Sequence, residues 1–381
     1  MPWGETTVVK ARHEFVLNAM APDANIAELC RDAGISRKTG YKWLKRFREA
    51  GLEGLDNMST RPQGSCVRVS GEVVLRVLEL RSAHPRWGPK KLRVVVGRGL
   101  SDDDTPSERT IARILQRAGE VRSRRRPPRL DDPRAKDAPN PIIDAPNDLW
   151  TVDFKGWWNA RDGAKCEPLT IRDGFSRYVL KAKLMTETGT EPVREEFEEL
   201  FARRGIPKAV QVDNGPPFGS TQARCSMTTL SAWWVATGIA VIRGRPAHPQ
   251  DNGGHERMHL DMRYEVEDVG ADNLVHQQAQ LDRWMHEFNN VRPHEAIDLK
   301  TPSELYLRSE RSYSGPRTPH YGNQMCTRKV ASSGRVRYRG QMLRIGQGFR
   351  GYEVGIEQGV DPNTVRVQFY ELDLGSFPLP M

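Results

Sequence analysis

The sequence predicts a multidomain α/β protein with two helical units first, a mixed α/β domain in the middle and a small β domain last. Three observations predict it. At 381 residues the chain exceeds what one typical hydrophobic core supports. Strand-like and helix-like runs alternate through residues 147–307. Charge is also segregated. Residues 1–144 hold 28 Lys and Arg against 19 Asp and Glu, residues 145–307 hold 19 against 24, and residues 308–381 hold 11 against 6. Basic ends suit phosphate backbones, and an acidic middle suits cations.

The elements follow in order. In residues 1–60, Val9, Phe15, Val16 and Met20 predict an amphipathic helix. Asn25 caps a short second helix, Gly34-Ile35 turns, and Ser36 caps a third helix from Arg37 to about Glu49. This is helix-turn-helix patterning, with Arg37, Lys38, Lys42 and Lys45 as candidate DNA contacts and Tyr41, Trp43, Leu44 and Phe47 as apolar ones. Residues 66–120 predict a second such unit, with helices over Val73–Leu80, from Trp87-Gly88-Pro89 onward, and after the cap Ser107; Arg109 and Arg113 are its candidate DNA contacts. A purely structural three-helix unit fits this second segment equally well. Residues 121–146 read as a basic, Pro-rich tether in which Arg124, Arg125 and Arg126 can track phosphates.

Between 147 and 307, strands are predicted at Leu149–Trp157, Pro168–Arg172, Tyr178–Leu184, Ala209–Val212 and Ile239–Arg243. Helices are predicted at Glu191–Arg203, Met227–Thr237, from Asn252 to about Asp268, and at Leu274–Asn289. That order matches a ribonuclease H-like fold, a sheet with helices on both faces. Residues 318–381 switch to period two, with Arg335 and Arg337 on one strand face as candidate DNA contacts, and glycines between short strands predict a small β-barrel.

The five cysteines are scattered and include no C-x-x-C pair, which argues against a disulfide framework or a zinc site. With no signal-like N-terminus and no membrane-length apolar run, a cytoplasmic, nucleoid-associated protein without membrane contact is expected.

Three acids sit inside distinct signatures. Asp153 ends Leu149-Trp150-Thr151-Val152-Asp153, Asp213 opens Asp213-Asn214-Gly215-Pro216-Pro217-Phe218, and Glu256 lies in Gln250-Asp251-Asn252-Gly253-Gly254-His255-Glu256-Arg257-Met258-His259. Two carboxylates at strand ends and one on a helix can hold two Mg²⁺ ions, with Mn²⁺ as a substitute, for phosphoryl transfer. Asp251 is the nearest acidic alternative to Glu256. Arg257 and His259 lie near Glu256 on the same helix and are candidates to touch phosphate or the scissile strand, with ordinary surface residues an equal alternative; Asn214 is a candidate for placing water or ligands, and Asp173 reads as a structural acid beside a hairpin turn.

These signatures, with Leu169-Thr170-Ile171-Arg172-Asp173-Gly174 and Phe288-Asn289-Asn290-Val291-Arg292-Pro293-His294, resemble the bacterial insertion-sequence transposases with a DDE integrase catalytic core, which are retroviral integrase-like. The resemblance implies Asp153, Asp213 and Glu256 as the catalytic and metal-binding triad. It also implies binding of terminal inverted repeats, Mg²⁺-dependent DNA cleavage and strand transfer, and a homo-oligomer on double-stranded DNA. A plain nuclease and a DNA-binding regulator with an inert core are the rival classes.

Overall fold

Capped helix ends shape the N-terminal unit. A computed structural model describes residues 8–57, 69–121, 142–220, 227–244 and 253–379, and the chain divides into two units after Arg68. The first holds α1 (Val8–Ala19), α2 (Ile26–Asp32) and α3 (Arg37–Ala50). The Asn25 side chain accepts from the Ala27 and Glu28 amides, and Ser36 accepts from that of Thr39, so each cap satisfies donors the helix cannot. Phe15, Val16, Cys30, Trp43, Leu44 and Leu55 form the core. A Cβ at Gly40 would lie 2.5 Å from Cys30 Sγ, so glycine lets α3 close on α2. Two expectations are corrected: Met20 and Tyr41 are 51% and 59% exposed. Helix α1 ends before Met20, and the buried stripe of α3 runs through Gly40, Trp43 and Leu44, leaving Tyr41 outside it.

The second unit begins with α4 (Gly71–Ala83), α5 (Pro89–Gly97) and α6 (Glu108–Arg117), packed through Val77, Trp87, Leu92, Val96 and Ile111. Ser107 caps α6, and Pro89 occupies the first turn of α5 after Gly88. This bundle rests on the following α/β layer: His84 pairs with Glu287 at 3.2 Å, and the Arg86 guanidinium lies 3.7 Å over the Tyr264 ring.

The α/β layer contains β1 (Leu149–Phe154), a small β2 (Trp158–Asn159) and β3 (Lys165–Cys166) pair, β4 (Pro168–Asp173), β5 (Val179–Leu184), α7 (Thr190–Arg204), β6 (Ala209–Val212), α8 (Thr229–Ala236), β7 (Ala240–Arg243), α9 (Gly253–Met262), α10 (Leu274–Asn290) and α11 (Pro302–Leu305). The sheet order is β5-β4-β1-β6-β7, with β1 central, antiparallel to β4 and parallel to β6. Strand alternation sorts β1 and β4 into two faces. Trp150, Val152, Leu169 and Ile171 pack with Phe197 and Phe201 of α7 and Trp233 and Trp234 of α8. Thr151, Asp153, Thr170 and Arg172 project to the other face, beneath α9. There, Met258 and Met262 of α9 join Leu281, Trp284 and Phe288 of α10.

Strand β1 stops at Phe154 rather than Trp157; Gly156 (φ 89°) turns the chain and leaves Trp157 exposed. The helix predicted to reach Asp268 changes to a π-helical turn at Arg263–Glu267. Edge strand β5 is closed by side-chain amides. Asn289 bonds both Val179 main-chain groups, and Gln278 bonds the Leu184 amide and the Ala182 carbonyl. The strand therefore offers no free ladder there to another chain.

The C-terminal region departs from the predicted barrel. Strands β8 (Cys326–Lys329), β11 (Glu353–Gln358), β12 (Thr364–Phe369) and β13 (Leu372–Pro378) form an antiparallel sheet ordered β13-β12-β11-β8. Strands β9 (Arg335–Tyr338) and β10 (Gln341–Arg344) form a separate hairpin. Among the described residues the hydrogen bonding does not close. The hairpin lays Val336, Tyr338 and Leu343 over the sheet's apolar face instead of extending its edge, and Ala232 and Val235 of α8 complete that core.

Candidate active site

Asp153 occupies the last turn of pleat on the central strand, directly opposite Thr170 of β4. Its carboxyl is pushed up to about 7, first by burial and then by the charge of Asp213, with Glu256 adding to it. Asp213 and Glu256 thus lie near enough to Asp153 for their charges to act on it. Asp213 follows the end of β6. Packing around it raises its carboxyl, while the Gly215 amide and Arg243 oppose the rise. Glu256 is exposed in the first turn of α9. Asp251 lies outside the described residues. No three His, Cys, Asp or Glu side chains among the described residues converge closely enough to enclose a metal ion.

The sign of the Asp153 shift sets a stability prediction. Its folded pKa lies above its unfolded value, so its stabilising contribution is full at low pH and is lost as pH rises toward and past 7. Without divalent cations, the melting temperature of the wild type should fall more between pH 6 and pH 8 than that of Asp153→Asn. Calorimetry in chelator checks this; parallel curves would show that Asp153 bears no such strain.

Helix α9 is fixed to the sheet by contacts that sequence reading missed. His255, fully buried, reaches Thr151 Oγ1 at 2.8 Å through Nδ1 and Thr170 Oγ1 at 2.6 Å through Nε2. Thr170 Oγ1 also meets His259 Nε2 at 2.8 Å and donates to the Asp153 carbonyl at 2.9 Å. The buried Arg172 donates to the Gly254 carbonyl, and a Cβ on Gly254 would fall 2.6 Å from its Nη2. Glycine therefore opens this helix because a guanidinium packs against it. The available signal was the Thr-x-Asp alternation in β1 and the Thr-x-Arg alternation in β4, set among apolar residues. Burial, with Lys155 and Arg172 nearby, holds His259 down at about 3. Lys155 itself pairs with Glu267.

Several expected roles change or gain detail. Asn214 Nδ2 donates to the Gly244 carbonyl at 2.9 Å, which ties the loop after β6 to the end of β7. Asp173 is buried and accepts from the Asn147 amide and from the Ser176 amide and hydroxyl, consistent with a structural acid. Arg257 is exposed and pairs with Asp261 at 3.3 Å.

The predicted DNA contacts are spread over the surface. Arg37, Lys38, Lys42 and Lys45 are exposed on α3; Lys42 lies 5.0 Å over Trp43, and Lys45 pairs loosely with Glu49. Arg109 and Arg113 are exposed on α6. Arg335 and Arg337 share the outer face of β9, where Arg335 lies directly across from Arg344. Arg124, Arg125 and Arg126 lie outside the described residues.

Comparison with known proteins agrees with this layout. Residues 144–249 and 237–302 match the Integrase core domain. Residues 14–63 match a Helix-turn-helix domain, and residues 39–115 a Homeodomain-like domain. The chain is 26% identical over 243 residues to the insertion element IS407 uncharacterized 31.7 kDa protein of Burkholderia multivorans, covering 63% of this chain and 83% of that one. It is 27% identical over 277 residues to the insertion element IS476 uncharacterized 39.2 kDa protein of Xanthomonas euvesicatoria, covering 71% and 75%. The HTLV-2 integrase catalytic core domain in complex with magnesium aligns at 15% identity and a TM-score of 0.33, covering 43% of this chain and 98% of that chain. Helix-turn-helix domains ahead of an integrase core, together with similarity to proteins of two insertion elements, support an insertion-sequence transposase with an integrase core.

Proposed function

We propose that the chain binds the terminal inverted repeats of an insertion sequence, cleaves DNA at the element's ends and joins the freed 3′-hydroxyl to target DNA. Asp153, Asp213 and Glu256 are the catalytic carboxylates. The observation that carries this reading is the buried Asp153 on the central strand, raised to about 7 first by burial and then by the charges of Asp213 and Glu256. A cost of that kind is what a bound cation offsets.

Carboxylate oxygens are the donors that Mg²⁺ and Mn²⁺ prefer, so the residues fit two such ions in kind. Asp153 would serve both ions, with Asp213 and Glu256 each holding one. When bound, the ions supply activation of the attacking oxygen and neutralisation of charge on the phosphate. The protein's part is orientation. Thr170 and His255 hold α9, and with it Glu256, against β1. Arg243 bonds the main chain of Asp213 and of Phe218, steadying the loop after β6.

DNA contact is assigned to Arg37, Lys38, Lys42 and Lys45 of α3, to Arg109 and Arg113 of α6, to Arg257, and to Arg335 and Arg337 of β9. Arg124, Arg125 and Arg126 join them in the tether. Arginines facing each other across a hairpin repel, and phosphates relieve that repulsion. Because two element ends must be held together, the working form is a homo-oligomer on DNA. Among the described residues no helix is long and apolar enough to cross a membrane.

A strand-joining assay with element-end duplexes and Mg²⁺ tests the reading. Joined product is the expected result. Nicks without joining would reduce the chain to a nuclease, and binding alone would make it a regulator.

A further inference from the structure

We propose that the cavity between the 345–350 loop and the first turns of α7 and α8 is a phosphodiester pocket. It holds the backbone of DNA close to the catalytic carboxylates, with Arg344 and Arg350 as its cations. The inference rests on the reading of the chain as a DNA-joining enzyme and adds a binding site to it.

Strand direction places the cavity. Strand β6 is parallel to β1, and β5 runs the same way because β4 is antiparallel to both β1 and β5. The C-terminal ends of β1, β5 and β6 therefore share one end of the sheet, which carries Asp153 and Asp213. Helix α7 follows β5 and α8 follows β6, so both helices start at that end. Thr190 of α7, Thr228 at the start of α8 and Ser220, in the loop that Asp213 opens, line the core side of a cavity of about 680 Å³. Arg344, Gln347 and Arg350 line its C-terminal side.

The loop that carries these groups is firmly seated. Buried Phe349 packs against Phe369, with ring centroids 5.0 Å apart. A Cβ on Gly348 would lie 2.6 Å from the Met227 carbonyl, so glycine lets the loop press on the chain entering α8. Both arginines are exposed at the flanks of this anchored turn.

Charge in the cavity is unbalanced. No Asp or Glu lines it. Among the described residues, neither Arg344 nor Arg350 has an ion pair or a side-chain hydrogen bond. Other arginines of the C-terminal region are neutralised, Arg317 by Glu371 and Arg366 by Asp373 and Glu357. Arg344 also faces Arg335 across the hairpin. A guanidinium stays charged throughout the working pH range, and its planar fork matches phosphate oxygens. The first turn of α8 does not provide the attraction, because Thr228 already caps it. Hydroxyls and the Gln347 amide add neutral donors of the kind that position a DNA backbone without reading its bases.

The test uses the full-length protein and a fluorescein-labelled element-end duplex. In Arg344→Gln/Arg350→Gln, anisotropy should show affinity about tenfold weaker, and the slope of log K against log salt should fall by about 2. Both side chains are exposed, so an unchanged melting temperature is expected. A single neutral methylphosphonate, stepped along the duplex, should weaken wild-type binding at positions close to the cleaved bond and leave the double variant unaffected there. DNA binding with an unchanged salt slope in the variant overturns the pocket and leaves the transposase reading intact. Methylphosphonate effects shared equally by wild type and variant near the cleaved bond also overturn it. Calorimetric binding of pyrophosphate that the variant loses, with DNA binding unaltered, would assign the cavity to a free phosphate compound and overturn the DNA assignment. A wild type that shows the slope change but never joins strands would remove the joining reading and keep the pocket. A wild type that binds no DNA removes both.

Discussion

Asp153→Asn is expected to lower DNA cleavage and joining by at least about 10³-fold while leaving DNA affinity within about twofold. The two effects separate because the carboxylate and its backbone do different things. Thr170 bonds the main-chain carbonyl of Asp153, not its side chain, so the contacts that fix α9 survive the change. Asparagine keeps the shape and removes only the charge. In the metal-free protein that charge is a burden, held at about 7 by burial and by Asp213, so the variant should fold at least as well as the parent above neutral pH. Its loss of activity then cannot be attributed to unfolding. Cleavage of end-labelled duplexes, alongside fluorescence anisotropy for binding, measures both quantities. Binding lost together with cleavage would remove Asp153 from the role assigned to it.

Arg292→Leu is expected to destabilise the second unit by about 3–5 kcal/mol. Arg292 is almost wholly buried, with its guanidinium among three carboxylates: Asp261 at 3.4 Å, Glu287 at 3.4 Å and a close contact with Glu265. Removing the cation leaves those acids facing each other at low exposure, and leucine offers none of them a hydrogen bond. Asp261 belongs to α9, Glu265 to the π-helical turn after it and Glu287 to α10, so one side chain ties three elements together. Glu265 keeps a further donor, Trp284 Nε1 at 2.9 Å, and Glu287 keeps His84, so the collapse should be partial. Urea unfolding followed by tryptophan fluorescence checks the magnitude. A cost below about 1 kcal/mol would mean that a nearby cation, Lys91 being the nearest candidate by its electrostatic coupling to Asp261 and Arg292, takes over.

Much of the fold was legible because its signals are local. Asn25, Ser36 and Ser107 cap helices through amides two or three positions away, and the sequence shows both partners at once. Strand β6 covers Ala209–Val212, the span predicted for it. The misses share a different cause. Tyr41 is apolar and periodic enough to read as core, but the direction of the buried stripe depends on where α2 sits. Trp157 extends an apolar run past a glycine whose positive φ ends the strand. The barrel was inferred from period two and glycine spacing. Whether strands close depends on which edges meet, and here the hairpin covers the sheet's face instead.

By itself the sequence determined the element order, the helix caps and three acids in their signatures, because each depends on neighbours within a few positions. Only the tertiary structure decided what lies beneath α9. Thr151 and His255 are 104 positions apart, and Thr170 stands 85 from His255 and 89 from His259. No local pattern encodes such pairings. They exist because β1 and β4 alternate apolar and polar residues across a sheet whose second face must be covered, and α9 covers it with groups that complete those hydrogen bonds.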